Sequence, residues 1–197
     1  MKDSLKILIA EDEFVIRETL KLYVNELGHQ VIAEAYDGRT AIKKALEYDP
    51  DLIIMDINMP NMDGIKAIGE INKRKIIPSI IVSAYHEQKL IERANKKGVV
   101  NYLLKPIDMN DLKVAIDISM NNFLKLENIK LELTDTKQAL EDRKYIERAK
   151  GILMDHLNIS EAESMKRLQK MSRDKNKKLV VIAKKVINAG SLFDKKL

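Results

Sequence analysis

Apolar and polar positions follow two regimes along the 197-residue chain. Over the first 120 residues, short apolar runs at 6–10, 30–33, 51–55, 79–82 and 101–104 alternate with longer amphipathic stretches. The runs are mostly aliphatic or β-branched, which predicts strands buried on both faces. Between the first two runs, Phe14, Leu20, Val24 and Leu27 recur at helical spacing, and Gly28 stops the pattern. Between the next two, Ala41, Ala45 and Leu46 mark a second helix, closed by Asp49-Pro50. This alternation predicts an α/β, doubly wound fold with a five-stranded parallel sheet.

After Asp108 the pattern changes. From there to about Leu157 there is no proline and one glycine, Gly151. Leu126, Leu133 and Leu140 recur every seven residues, with Ile129 and Thr136 between them. The spacing predicts a long coiled-coil-like helix with a narrow apolar seam, fitted either to a partner helix or to the surface of its own chain. Ser160 and Glu163 have the spacing of a capping box that starts a new helix with Met165, Leu168 and Met171 on its apolar face. A polar break at 172–176 precedes a last helix carrying Leu179, Ile182, Ala183, Val186 and Ile187 and ending near Gly190. Helices this short need partners in water, so a small three-helix bundle is expected.

Composition sharpens the division. Residues 1–120 carry 17 Lys/Arg against 19 Asp/Glu, whereas 121–197 carry 18 against 11, so the chain's net charge of +5 resides in its rear. Charge alone leaves open a nucleic-acid surface or a merely solvated basic face. The absence of cysteine excludes disulfides and thiolate metal sites. No apolar run is long enough to span a membrane, and the N-terminus has no leader-like pattern, so a cytoplasmic protein is expected.

Candidate chemistry gathers at the carboxyl ends of the predicted strands, where open parallel sheets bind ligands. Glu11 and Asp12 follow the first strand, Asp56 the third, Ser83 ends the fourth, and Lys105-Pro106 follows the fifth. Clustered carboxylates need a cation, and hard oxygen donors suit Mg²⁺. An aspartate can attack phosphorus to form an acyl phosphate, with a metal and a lysine offsetting charge on the phosphoryl oxygens.

The stretches 9–13, 55–64, 82–84 and 104–106 together resemble the receiver domain of bacterial response regulators over residues 5–120. The resemblance implies strand order 2-1-3-4-5 and makes Asp56 the phosphoacceptor. It implies Mg²⁺ held by Asp12, Asp56 and the backbone carbonyl of Asn58, with Glu11 acting through water. It also implies that Lys105 contacts the phosphoryl group across a cis Lys105-Pro106 peptide, and that Ser83 and Tyr102 form a switch pair. Glu11 and Ser83 replace the commoner Asp and Thr.

In the rear, residues 140–154, with Ser160, Glu161, Asn176, Leu179 and Ala183, resemble the ANTAR domain over about 138–190. ANTAR is the RNA-binding output of transcription antitermination regulators. Ser164 and Met165 depart from the usual alanine and aromatic. Within this region Arg143, Lys144, Arg148, Lys150, Arg173, Lys175, Lys177 and Lys178 are the RNA candidates. Aromatic residues are scarce here, with only Tyr145 and Phe193 after Phe123.

The expected organisation is therefore a receiver at 1–120, a coiled-coil linker at 121–138 and an ANTAR domain at 139–197. The expected function is a two-component response regulator. A sensor histidine kinase phosphorylates it on Asp56, it dimerises on phosphorylation, and it binds hairpins in nascent mRNA to prevent termination. It is not expected to be an enzyme beyond gaining its phosphoryl group from a donor and losing it. The same composition also accommodates a DNA-binding regulator or a protein-interaction output.

Overall fold

The computed structural model describes residues 4–84 and 101–193. The chain divides into two compact units, 1–127 and 128–197.

In the first unit, β1 (Lys6–Ala10), β2 (Gln30–Ala35), β3 (Leu52–Asp56), β4 (Ser79–Ser83) and β5 (Asn101–Leu104) form one sheet in the order β2-β1-β3-β4-β5. Every pairing is parallel, which is the predicted doubly wound sheet. The strands are joined by α1 (Phe14–Glu26), α2 (Gly38–Tyr48) and α3 (Gly64–Asn72). The expected helix between β4 and β5 falls outside the described residues.

Burial on both faces holds for β3 and β4, whose residues are all buried. It fails for β2 and β5, which are only part-buried because they occupy the two edges of the sheet. Two apolar clusters flank the sheet, one built on Leu8, Ile53, Met55, Ile68 and Ile81, the other on Ile7, Ile9, Leu20, Ile54 and Ile116. Each fully buried Ile or Leu contributes about 1.5–3 kcal/mol relative to exposure. Phe14, expected on the buried face of α1, is 66% exposed; Leu20 and Val24 are buried in the core, with Ile16, Tyr23 and Leu27 packed part-buried beside them. Gly28 adopts φ +82° directly after α1, the left-handed conformation that ends it.

A single helix, α4, runs from Met109 to Leu157. Its first turns belong to the first unit, where Leu112, Ala115 and Ile116 join the core. Along its middle, Leu126, Ile129, Leu133 and Leu140 are all more than half exposed. None of the chain's own described segments therefore covers the heptad seam.

The second unit contains the end of α4, α5 (Glu161–Asp174) and α6 (Leu179–Phe193). Asn158 and Asn176 take positive φ, 50° and 45°, in the turns that follow α4 and α5. The α5 cap forms from the Ser160 side, whose Oγ accepts the Glu163 N–H at 3.3 Å, while the Glu163 carboxylate lies toward Arg167 at 3.8 Å. Ala149, Leu168, Ile182 and Ala183 form the buried centre, surrounded by Ile146, Leu153, Met171, Leu179, Val186 and Ile187. The last helix continues past Gly190, its predicted end, to Phe193.

Candidate functional site

The sheet's carboxyl edge brings the predicted acidic residues together. Oxygens of Glu11, Asp12 and Asp56 lie within 4.8 Å of one another, with Glu11 and Asp56 buried and Asp12 exposed. Lys105 reaches them from the segment after β5, its Nζ 2.9 Å from Glu11 Oε2 and 3.3 Å from Asp56 Oδ1. The Lys105-Pro106 peptide is cis. The other Asp56 oxygen, Oδ2, accepts the Asn58 N–H at 3.0 Å.

Burial raises the pKa of both Glu11 and Asp56, because a low-dielectric site disfavours their charged forms. Lys105 opposes that rise at each carboxylate and is itself held protonated, chiefly by its hydrogen bond to Glu11. Among the described residues, the three clustered carboxylates, two of them buried, face the single ammonium of Lys105 and so outnumber it. Hard oxygen donors with that excess fit a divalent cation such as Mg²⁺.

Ser83 is buried at the end of β4 and accepts the Lys105 backbone N–H on its carbonyl at 2.9 Å. Tyr102 is part-buried against the first apolar cluster. β4 and β5 run side by side, with Ile81 opposite Tyr102 and Ser83 opposite Leu104.

Three supports were not read from the sequence. Arg17 donates to the Glu11 carbonyl at 2.8 Å and pairs with Glu34 at 3.3 Å, which fixes the backbone that carries Glu11. Glu13 adds a third carboxylate 3.7 Å from Lys105 Nζ. Gly64 lies so close to the phosphoacceptor loop that a Cβ there would stand 2.1 Å from the Asp56 carbonyl oxygen. Its place in the 55–64 motif was the available signal for this last contact. The other two depend on side-chain reach, which spacing does not reveal.

In the second unit, Arg143, Lys144 and Arg148 are exposed on α4, and Arg173 on α5. Lys175, Lys177 and Lys178 are exposed in the turn between α5 and α6. Lys150 is different, being only 7% exposed. Its ammonium lies 2.8 Å from Glu147 and 2.6 Å from Glu161, tying α4 to the first turn of α5. Those bonds raise the Lys150 pKa, and the bond from Lys150 lowers that of Glu161. The Glu147 partner was readable as an i,i+3 pair, but Glu161 is a tertiary contact.

A five-stranded parallel sheet in this order, with acids and a lysine at its carboxyl edge, defines a receiver-type module. The family model for the response regulator receiver domain matches residues 7–117, and that for the ANTAR domain matches 134–187. The transcriptional regulatory protein PdtaR of Mycobacterium tuberculosis is 36% identical over 182 residues, covering 92% of this chain and 89% of the relative. The chemotaxis protein CheY of Bacillus subtilis is 36% identical over 117 residues, covering 59% of this chain and 98% of its own. Among solved structures, a DNA-binding response regulator of the LuxR family from Staphylococcus aureus aligns with TM-score 0.55 and 30% identity, covering 58% of this chain and 98% of that one. The chain belongs to the response regulators that join a receiver domain to an ANTAR domain.

Proposed function

We propose that Asp56 receives a phosphoryl group from a sensor histidine kinase and that this input controls an RNA-binding antitermination output. The observation that carries the reading is the set of Glu11, Asp12, Asp56 and Lys105 at one sheet edge, on the same chain as an ANTAR domain. An Asp56 carboxylate oxygen attacks phosphorus as the donor's P–N bond breaks, and the imidazole leaves with a proton. Lys105 stabilises negative charge on the phosphoryl oxygens, and the Asn58 N–H orients the carboxylate. Glu11, Asp12, Asp56 and the Asn58 carbonyl are the residues that would hold Mg²⁺, which when bound supplies further charge neutralisation. Ser83 and Tyr102 carry the switch from the phosphoryl site toward the β5 edge. Loss of the group to water resets the protein, and no other catalysis is assigned.

The exposed seam of Leu126, Ile129, Leu133 and Leu140 is the surface on which a second copy pairs after phosphorylation. A dimer presents two basic bundles to two RNA hairpins, raising avidity without new contacts. The proposed contact set is Arg143, Lys144, Arg148, Arg173, Lys175, Lys177 and Lys178. Lys150 leaves this set because its ammonium is occupied between two carboxylates. Residues 1–120, 121–138 and 139–197 serve as input, linker and output. No described helix is long and apolar enough to cross a membrane, and nascent transcripts place the protein's work in the cytoplasm.

The test compares untreated and acetyl-phosphate-treated protein, wild type and Asp56→Ala, in gel shifts with two-hairpin RNA and with duplex DNA. Treated wild type is expected to prefer the RNA and to dimerise, and Asp56→Ala to gain neither property. Unchanged affinity and oligomeric state after confirmed phosphorylation would defeat the switch. Preference for duplex DNA would replace the RNA output with a DNA-binding one.

A further inference from the structure

The basic second unit contains an aromatic residue that charge does not explain. Tyr145 lies on α4 at the rim of the bundle, one residue before the part-buried Ile146 and four before the buried Ala149. It keeps 37% of its surface exposed. Lys184, on α6 beside the buried Ile182 and Ala183, places its ammonium 4.5 Å from the centre of the Tyr145 ring. Lys144 and Lys150, by contrast, direct their ammonium groups to carboxylates. A tyrosine at this rim adds little to the core, since Ala149, Leu168, Ile182 and Ala183 already fill the centre.

We propose that Tyr145, held by Lys184, is a stacking platform for an unpaired base of the RNA loop. The inference rests on the RNA-binding reading above and assigns it a subsite. Single-stranded loops are recognised by bases stacked on aromatic rings, with cations following the backbone. Tyr145 is the one tyrosine of this unit, and Arg148, one turn along α4, is an exposed cation beside it. The ammonium over one face of the ring fixes its orientation and draws electron density from it, which favours contact with an electron-rich purine. Lys184 also supplies a positive charge where the stacked nucleotide's phosphate would pass. Stacking selects unpaired over paired RNA, a discrimination that scattered surface lysines do not provide, because phosphate contacts carry no such information.

The test uses the full chain after acetyl-phosphate treatment. The probe is a two-hairpin RNA selected on the wild type from a pool with randomised loops, with 2-aminopurine placed at each loop position in turn. The wild type is expected to quench 2-aminopurine at one position in each loop. Tyr145→Phe should retain quenching and affinity. Tyr145→Leu should lose that quenching and on the order of tenfold in hairpin affinity, as expected for one stacked base. Its affinity for a fully paired RNA of equal length and the salt dependence of hairpin binding should not change, because no phosphate contact is removed. Lys184→Met should weaken the quenching, because the ring loses the cation that holds it, and should lower the salt slope. Absence of quenching at every loop position in the wild type overturns the platform even if Tyr145→Leu does not fold. Equal hairpin affinity of a folded Tyr145→Leu overturns it as well, while leaving RNA binding intact. A wild type that selects no RNA overturns the underlying reading and the platform with it.

Discussion

Replacing Lys105 by methionine removes the ammonium group that, among the described residues, lies against the clustered carboxylates, and tests the electrostatics of the site directly. The Lys105 Nζ stands 2.9 and 3.1 Å from the two Glu11 oxygens and 3.3 Å from Asp56 Oδ1. Leaving a buried charge without its partner costs about 3–5 kcal/mol. A carboxylate can escape part of that cost by taking up a proton. For Glu11, with an ordinary pKa of 4.5, protonation costs ~3.4 kcal/mol at pH 7 and ~0.7 kcal/mol at pH 5, at 1.36 kcal/mol per pKa unit. The Glu11 share of the Lys105→Met deficit is therefore capped at ~3.4 kcal/mol at pH 7 and at ~0.7 kcal/mol at pH 5, and the Asp56 share falls with pH in the same way.

The sign is fixed by the direction of the shifts. Glu11 and Asp56 both have folded pKa values raised above ordinary, so their contribution is fully present below 4.5 and 3.8 respectively and is lost as pH rises through the folded values. Removing Lys105 raises both further and carries that loss to higher pH. The assay is thermal unfolding of wild type and variant at pH 5 and pH 7 without divalent cations. For a unit of this size the Glu11 share at pH 7 alone corresponds to roughly ten degrees in Tm. Added Mg²⁺ should stabilise the variant more than the wild type, because it replaces the missing positive charge. A variant as stable as the wild type at pH 7, or one with the same deficit at both pH values, would refute the electrostatic account.

Further predictions concern packing and the bundle. Gly64→Ala forces a Cβ against the Asp56 carbonyl and should cost about 1–3 kcal/mol while slowing phosphorylation by acetyl phosphate, measured by melts and phosphate-affinity gels. Leu168→Ala should cost about 2–5 kcal/mol, enough to remove the bundle's thermal transition while Asp56 is still phosphorylated at the wild-type rate. Lys150→Met should lower the Tm of the bundle, whereas Arg148→Ala should leave it unchanged and reduce the salt slope of RNA binding by about one. Because the Glu161 pKa is lowered by Lys150, the stability this pair contributes is present above 4.5 and disappears as pH falls through the depressed value, which an acid titration of the wild-type bundle should show.

Much of the first unit was legible because its signals are local. Five short apolar runs mark five strands, and acids at their ends fall at the one edge where a parallel sheet gathers its strand termini. The 49 residues of α4 followed from an uninterrupted run without proline, and the α5 start from Ser160. Where the structure departs, the cause is tertiary. Phe14 has helical spacing but emerges exposed, since α1 is held by Leu20 and Val24. The edge strands β2 and β5 read like central ones because composition does not state which strand lacks a neighbour.

Lysines show the same division between sequence and tertiary structure. Lys105 and Lys150 are both cations beside glutamates, and residue type alone separates neither from the exposed lysines of the bundle. The motif 104–106 identified Lys105, and the fold then placed its ammonium between Glu11 and Asp56. The 140–154 stretch likewise contained Lys150 and spacing offered it Glu147, but nothing in the sequence marked Glu161 as its partner, which reaches it only when α5 turns back on α4. The sequence by itself determined the strand and helix pattern, the acidic set and the basic rear, because periodicity and motif spacing are properties of neighbouring residues. Only the tertiary structure decided which charges are buried and paired and which remain free for a ligand. Burial and pairing depend on distances between segments far apart in the chain.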